Sequence, residues 1–232
     1  MHSIHRPLEP REGRGAVTGE MISFGKRRDA GTGYMARSER VGPGVVLLHE
    51  FFGLTDSFKQ MADDLNAAGF TVLAPDLYDG AIARTVEEAS SMSDDLDVDR
   101  VLRQLGAATE HLSANWHPRV GVVGFSLGAW YALKLAQQRS LEAVVTYYGV
   151  AMIDIPAWKT PLLAHLAEVD EWTPPEDVAE TIGKLDDEIA ELHTYPGTGH
   201  WFANPGVPDA FDPEAAATAW SRTVDFLTHH LA

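Results

Sequence analysis

This sequence predicts an α/β fold, a mostly parallel sheet with helices on both faces, and two observations carry that reading. Short uninterrupted apolar runs alternate along the chain with longer segments whose apolar residues recur every three or four positions. The runs read as strands buried on both faces and the longer segments as amphipathic helices. Their alternation therefore gives strand–helix–strand units with right-handed crossovers. The second observation is Gly124-Phe125-Ser126-Leu127-Gly128, which falls between one such run and one such segment. Ligands of parallel α/β sheets bind beyond the carboxyl ends of the strands, so chemistry is expected just after residues 48, 74, 123, 147, 166 and 195.

Taken in order, the first 20 residues are polar, include Pro7 and Pro10 and lack an apolar period. They predict a poorly ordered tail ahead of a single domain over 21–232. Residues 21–24 and 33–37 alternate, as an antiparallel pair at a sheet edge would. Val45, Val46, Leu47 and Leu48 form the first fully buried run. Phe58, Met61, Ala62, Leu65 and Ala68 follow helical spacing and stop at Gly69. A strand over 70–74 precedes a helix over 96–112, through Val98, Val101, Leu102 and Leu105. Residues 120–123 are the next strand, 127–136 the next helix, and 143–147 and 162–166 two further strands. Thr173, Pro174 and Glu176 read as a capping box with proline in the first turn, opening a helix through Val178, Ile182 and Leu185. After a short strand over 192–195, Asp212 and Pro213 open a terminal helix with apolar residues at Trp220, Val224, Leu227 and Leu231.

Composition removes several function classes. With 18 Lys+Arg against 34 Asp+Glu the formal charge is −16, and no basic cluster offers a footprint for nucleic acid or an anionic membrane. The absence of cysteine removes disulfides, thiolate metal sites and a cysteine nucleophile. No apolar run reaches the roughly 20 residues of a membrane span. The N-terminus also lacks the apolar core of a secretory signal, so a cytoplasmic location is expected. His2 and His5 lie in the tail, and the adjacent His229 and His230 point to different sides of a helix. No metal site and no cofactor are therefore expected.

A Gly-x-Ser-x-Gly sequence between a buried strand and a helix has the context of a nucleophile elbow, in which a sharp turn pushes the serine hydroxyl out at the sheet edge. Serine is nearly unionised at neutral pH and needs a base, and the base needs an orienting acid. His200 follows the loop Tyr195-Pro196-Gly197-Thr198-Gly199 and is the histidine best placed over Ser126. His165 and His193 belong to strands, and His229 and His230 to the last helix. The acid is expected between serine and histidine in chain order. Asp170 meets that condition, with Glu168, Glu171 and Asp154 as competitors.

Four segments together resemble the dienelactone hydrolase family of α/β-hydrolases: His49-Glu50-Phe51-Phe52-Gly53, Pro75-Asp76-Leu77-Tyr78, Gly124 to Gly128, and Gly199-His200-Trp201-Phe202. The resemblance extends from about Met21 to Leu231. It implies the α/β-hydrolase fold, with nucleophile, acid and base at Ser126, Asp170 and His200 and an oxyanion hole made by the backbone N–H groups of Phe51 and Leu127. It also implies that the Glu50 carboxylate accepts a hydrogen bond from the resting nucleophile. The chain departs from the founding members in two respects. Serine replaces cysteine at the elbow, and Gly80 and Asn204 stand where two substrate-binding arginines are expected.

The chain therefore reads as an esterase or lactonase working through an acyl-serine intermediate, as a monomer or homodimer. Its small, neutral substrate is expected to pack on Phe51, Tyr78, Phe125 and Trp201, while Arg84 could fold back to restore a cation. The rivals are a non-catalytic sensor on the same fold, and an acyltransferase or peptidase.

Overall fold

The computed structural model describes residues 19–37, 42–150, 154 and 157–232, and in it the apolar runs become eight strands. These are β1 (Glu20–Phe24), β2 (Gly31–Ala36), β3 (Gly44–Leu48), β4 (Thr71–Pro75), β5 (Val120–Phe125), β6 (Ala143–Tyr147), β7 (Leu162–Ala167) and β8 (Ala190–Tyr195). They form one sheet in the order β1-β2-β4-β3-β5-β6-β7-β8. The first two pairings, β1 with β2 and β2 with β4, are antiparallel, and all the others are parallel.

Successive strand residues point to opposite faces, and the core divides accordingly. Val46, Leu48, Leu73, Val122 and Val144 pack beneath α3 (Val98–Asn115), α4 (Leu127–Ala136) and α5 (Pro175–Ile182). Their neighbours Val45, Leu47, Val72, Val123 and Val145 pack beneath α1 (Asp56–Ala67) and α6 (Pro213–Leu231). Both faces are thus apolar, which is why the central strands carry unbroken apolar runs rather than alternation. Among the described residues, no helix is long and apolar enough to cross a membrane.

Four local expectations change. Glu20, assigned to the tail, pairs with Met35 as the first residue of β1; residues 1–18 of the expected tail lie outside the described residues. A helix absent from the expectation, α2 (Val86–Asp94), follows Thr85, whose side chain caps the Glu88 N–H. The expected capping box at Thr173 does not form. The N-cap of α5 is Pro174, without a side-chain cap, because Thr173 gives its hydroxyl to the Tyr148 carbonyl and its N–H to Asp170. Finally, α5 ends at Ile182, and Leu185 is buried in the turn beyond it.

Beneath the sheet, α6 is anchored by a buried polar network. Arg222 donates to the Tyr195 hydroxyl at 3.0 Å, so the Tyr195 proton is directed to His165 Nδ1 at 2.8 Å. The His165 Nε2–H then meets Thr223 Oγ1 at 3.0 Å, and Thr223 Oγ1 lies 2.7 Å from the Tyr147 hydroxyl. Burial holds His165 well below the usual histidine range, which fits this neutral tautomer. Thr223→Val keeps the shape but leaves buried polar groups unpaired, at about 1–3 kcal/mol for each group left unsatisfied. Urea unfolding should therefore show a loss of about 2 kcal/mol, whereas a neutral result would mean that water replaces the hydroxyl.

Candidate active site

The register places Leu48 opposite Gly124, Phe125 opposite Tyr147 and Ala167 opposite Tyr195, so the strands deliver their following loops to one edge. Ser126 follows β5 as the N-cap of α4, with φ 50° and ψ −111°, a conformation costing a non-glycine residue about 1–3 kcal/mol. The surroundings hold it there. Its N–H donates to the Tyr147 carbonyl at 2.9 Å, and its carbonyl accepts from the amides of Ala129 and Trp130. Both flanking glycines are sterically required. A Cβ on Gly124 would stand 2.3 Å from the Gly128 carbonyl oxygen, and one on Gly128 would stand 2.5 Å from that of Leu48.

The loops after β7 and β8 bring two further side chains to this serine. His200 Nε2 lies 2.9 Å from Ser126 Oγ, and His200 Nδ1 lies 2.7 Å from Asp170 Oδ2. The second oxygen of Asp170 accepts the N–H groups of Trp172 and Thr173, both at 2.9 Å, so the carboxylate cannot rotate without breaking its own loop. With Asp170 as acceptor, Nδ1 carries the imidazole proton and Nε2 is free to accept from the serine. The competing acids stand elsewhere. Glu168 is exposed and accepts from the Gly197 N–H, while Glu171 and Asp154 are exposed to solvent. The amides of Phe51 and Leu127 have no hydrogen-bond partner among the described residues.

Glu50 is fully buried and engaged away from Ser126. Asn204 Nδ2 donates to its Oε1 at 2.8 Å, and the Tyr148 hydroxyl meets its Oε2 at 3.3 Å. The implied bond from Glu50 to the resting nucleophile is thus absent, and the serine hydroxyl is paired with His200 instead. Burial pushes the Glu50 carboxyl up to about 8, against the opposing effect of its two hydrogen bonds. Asn204, standing where an arginine is expected, has become the anchor of this carboxyl, and its own Oδ1 accepts from the Gly206 N–H. Among the described residues, no group of three or more His, Asp or Glu side chains is arranged to hold a metal ion.

Two of the expected substrate residues lie outside the aromatic wall of the site. Phe125 is buried and stacks on Tyr147 at 4.2 Å, with Phe58 edge-on at 5.2 Å, so its ring belongs to the core. Tyr78 is likewise buried, with its ring 5.3 Å from that of His49. Phe51 and Trp201 do meet, at 6.0 Å between centroids, and Trp172 completes their cluster at 5.6 Å from Phe51 and 5.7 Å from Trp201. Sequence reasoning missed Trp172, a loop tryptophan 52% exposed and 6.3 Å from the His200 ring. Arg84 lines an open cavity of about 480 Å³ with Ile82, Glu88, Ser91 and Met92, a set containing none of Ser126, Asp170 and His200.

The Glu50 environment gives a stability prediction whose sign follows from linkage. The folded carboxyl titrates higher than the unfolded one, so its favourable contribution is complete below about pH 4.5 and is lost as pH rises through about 8. Glu50→Gln removes that loss. Urea unfolding at pH 5, 7 and 9 should show the variant gaining on the parent at each step, and a pH-independent difference would contradict the burial argument.

The family profile for "Dienelactone hydrolase family" matches residues 32–231. Protein usf of Aquifex pyrophilus is 30% identical, the match covering 92% of this chain and 99% of that protein. Carboxymethylenebutenolidase 1 of Cupriavidus pinatubonensis is also 30% identical, over 80% of this chain and 85% of its own. Among solved structures, a dienelactone hydrolase from Anabaena variabilis shares the fold with a TM-score of 0.70 at 20% identity, covering 93% of this chain and 99% of that one. A dienelactone hydrolase-like promiscuous phosphotriesterase from metagenomic libraries does so at 0.81 and 23%, covering 94% and 100%. With an eight-stranded α/β-hydrolase sheet and a family match over most of its length, the chain belongs to the dienelactone hydrolase family of hydrolases.

Proposed function

We propose that this protein hydrolyses neutral carboxylic esters or lactones through an acyl-serine intermediate. One observation carries the reading: the continuous hydrogen-bonded line Ser126–His200–Asp170 at the carboxyl edge of the sheet. Ser126 Oγ attacks the substrate carbonyl carbon as its proton passes to His200 Nε2. The carbonyl oxygen becomes an oxyanion, which the Phe51 and Leu127 N–H groups receive. The C–O bond to the leaving group breaks, and that oxygen takes the proton from His200. Water then attacks the acyl-serine, giving a proton to His200 Nε2; the bond from the acyl carbon to Ser126 Oγ breaks, Oγ takes that proton back, and the carboxylic acid departs. In a lactone the leaving oxygen stays tethered to the acyl group, so one molecule carries both products.

Several features support this assignment of roles. Asp170 fixes the tautomer that leaves Nε2 basic, and serine, which cannot be stored as a thiolate, requires that base at every turnover. Glu50 modulates the nucleophile through its charge. Neutral near pH 7, it places no negative charge beside the developing oxyanion, but ionised at higher pH it opposes it. The exposed Trp172, together with Phe51 and Trp201, offers an apolar wall to an aryl or short acyl group. Relatives named carboxymethylenebutenolidase support keeping lactones in the substrate class.

Ser126→Ala should lower kcat by about 10⁴ to 10⁶ with folding intact, and a fluorophosphonate should label the parent but not the variant. Asp170→Asn should cost about 10⁴ in kcat by favouring the wrong tautomer. Near-parent turnover by a folded Ser126→Ala protein would remove the assignment.

Substrate charge can be tested separately. With Gly80 and Asn204 in place of cations, a substrate carboxylate forgoes charge-assisted hydrogen bonds of about 1.5–3 kcal/mol each. The methyl ester of a lactone carboxylate should therefore show a higher kcat/KM than the free acid. A strong preference for the acid, abolished by Arg84→Ala, would put a cation back in the site.

A further inference from the structure

His49 is completely buried and is held at both ring nitrogens by backbone groups, not by any of the three side chains in the catalytic line. The Leu77 backbone N–H donates to Nε2 at 3.2 Å, so Nε2 is the acceptor nitrogen. The proton must then sit on Nδ1, which donates to the Glu50 carbonyl oxygen at 2.6 Å. Burial lowers the His49 pKa, consistent with a neutral ring in this one tautomer. The Glu50 carbonyl accepts a second bond, from the Gly53 N–H at 3.2 Å.

That carbonyl and the Phe51 N–H belong to one planar trans peptide and point in opposite directions. Holding the carbonyl from behind therefore sets the aim of the N–H in front. The Phe51 ring meets that of Trp201, and the His49 carbonyl oxygen would stand 2.7 Å from a Cβ on Gly128, so this stretch of backbone runs beside the serine elbow. We propose that His49 is a positioning residue, its Nδ1–H bond to the Glu50 carbonyl directing the Phe51 N–H at the oxyanion that forms on attack by Ser126. The inference rests on the serine-hydrolase reading above and adds a device to it. The fixed tautomer carries the position of β4, through Leu77, to the oxyanion donor at the end of β3.

The two amide side chains separate the two ends of the imidazole. Asparagine can place its Nδ2–H near the position of Nδ1 and so can still donate to the Glu50 carbonyl. Glutamine reaches the position of Nε2, where it can accept from Leu77 but leaves the carbonyl to Gly53 alone. A donor that serves only the transition state affects kcat and leaves KM in place. His49→Gln should lower kcat by about 10- to 100-fold with KM within about threefold, less than the loss expected for deleting an oxyanion donor outright. His49→Asn should stay within about fivefold of the parent. The same enzymes should be compared on an aryl ester and its thionoester, whose sulfur is a poorer hydrogen-bond acceptor. The parent and His49→Asn should favour the oxygen ester strongly, while in His49→Gln that preference should shrink by about the factor lost from kcat.

Equal kcat losses in the two variants, or losses that follow melting temperature rather than side-chain identity, would overturn the proposal. So would an unchanged thionoester ratio in His49→Gln. If neither variant folds, nitrogen-15 NMR of the parent protein decides: a proton on His49 Nδ1 supports the proposal, and one on Nε2 overturns it. Ser126→Ala, assayed in parallel, keeps the two readings apart. An inactive Ser126→Ala beside a fully active His49→Gln rejects the positioning role alone, whereas an active Ser126→Ala rejects the site assignment on which it rests.

Discussion

The contact on which the rest of the site depends is the approach of α4 to the end of β3. At Gly128 a single added carbon would stand 2.5 Å from the Leu48 carbonyl oxygen and 2.7 Å from that of His49. Because there is no carbon, the start of α4 and the loop leaving β3 can lie against each other. Leu127 and Phe51, whose amides have no hydrogen-bond partner among the described residues and are the proposed oxyanion donors, come from those two segments. Gly124 does the same for the turn itself, where its neighbour would be the Gly128 carbonyl. Between the two glycines Ser126 is driven to φ 50°, and the strain is held by three backbone hydrogen bonds rather than by the serine side chain. The side chain is thereby left available to His200.

Desolvation sorts the buried polar groups around this turn into two kinds. His49, His165 and Glu50 sit where burial disfavours their charged forms, in Glu50 against the effect of the two hydrogen bonds it accepts. Asp170 is also buried, and it receives two backbone N–H donors and an imidazole N–H. The two buried carboxyls are thus partnered differently, Asp170 by three N–H groups and Glu50 by an amide and a phenol. The carboxyl next in sequence to the oxyanion donor Phe51 is kept neutral near pH 7. In a chain with a formal charge of −16, that separation has to be made locally, by burial and partners, since the overall field runs against any developing anion.

What the sequence made legible was whatever repeats or punctuates. Unbroken apolar runs marked the parallel strands, since both faces of the sheet are covered, and the positions of Ser126, Asp170 and His200 followed from strand ends and chain order. The failures have tertiary causes. The helix α2 buries only Ala89, so it has no apolar period, and its one legible signal was the Thr85–Glu88 cap. Thr173 has the right spacing for a helix cap but is recruited by Asp170 and Tyr148, a competition that local sequence does not encode. Phe125 and Tyr78 are aromatic and close to the site in sequence, yet their facing is set by the turn and by core packing. Trp172 carries no pattern at all, being a single exposed residue in a loop.

That loop joins two properties usually treated apart. The Asp170 carboxylate spends one oxygen on His200 and the other on the amides of Trp172 and Thr173, so the group that orients the base also folds the segment presenting the Trp172 indole. The indole in turn contacts Phe51, whose backbone N–H is the proposed oxyanion donor, and stands beside the His200 ring. Base orientation, apolar wall and oxyanion donor therefore share one set of contacts. A substitution that moves Trp172 will be felt by His200 and Phe51 as well as by the substrate. Substrate range in this protein is consequently more open to change along α2, whose Ala89 and Met92 belong to the cluster around Phe51 but where no side chain is hydrogen-bonded to Ser126, Asp170 or His200.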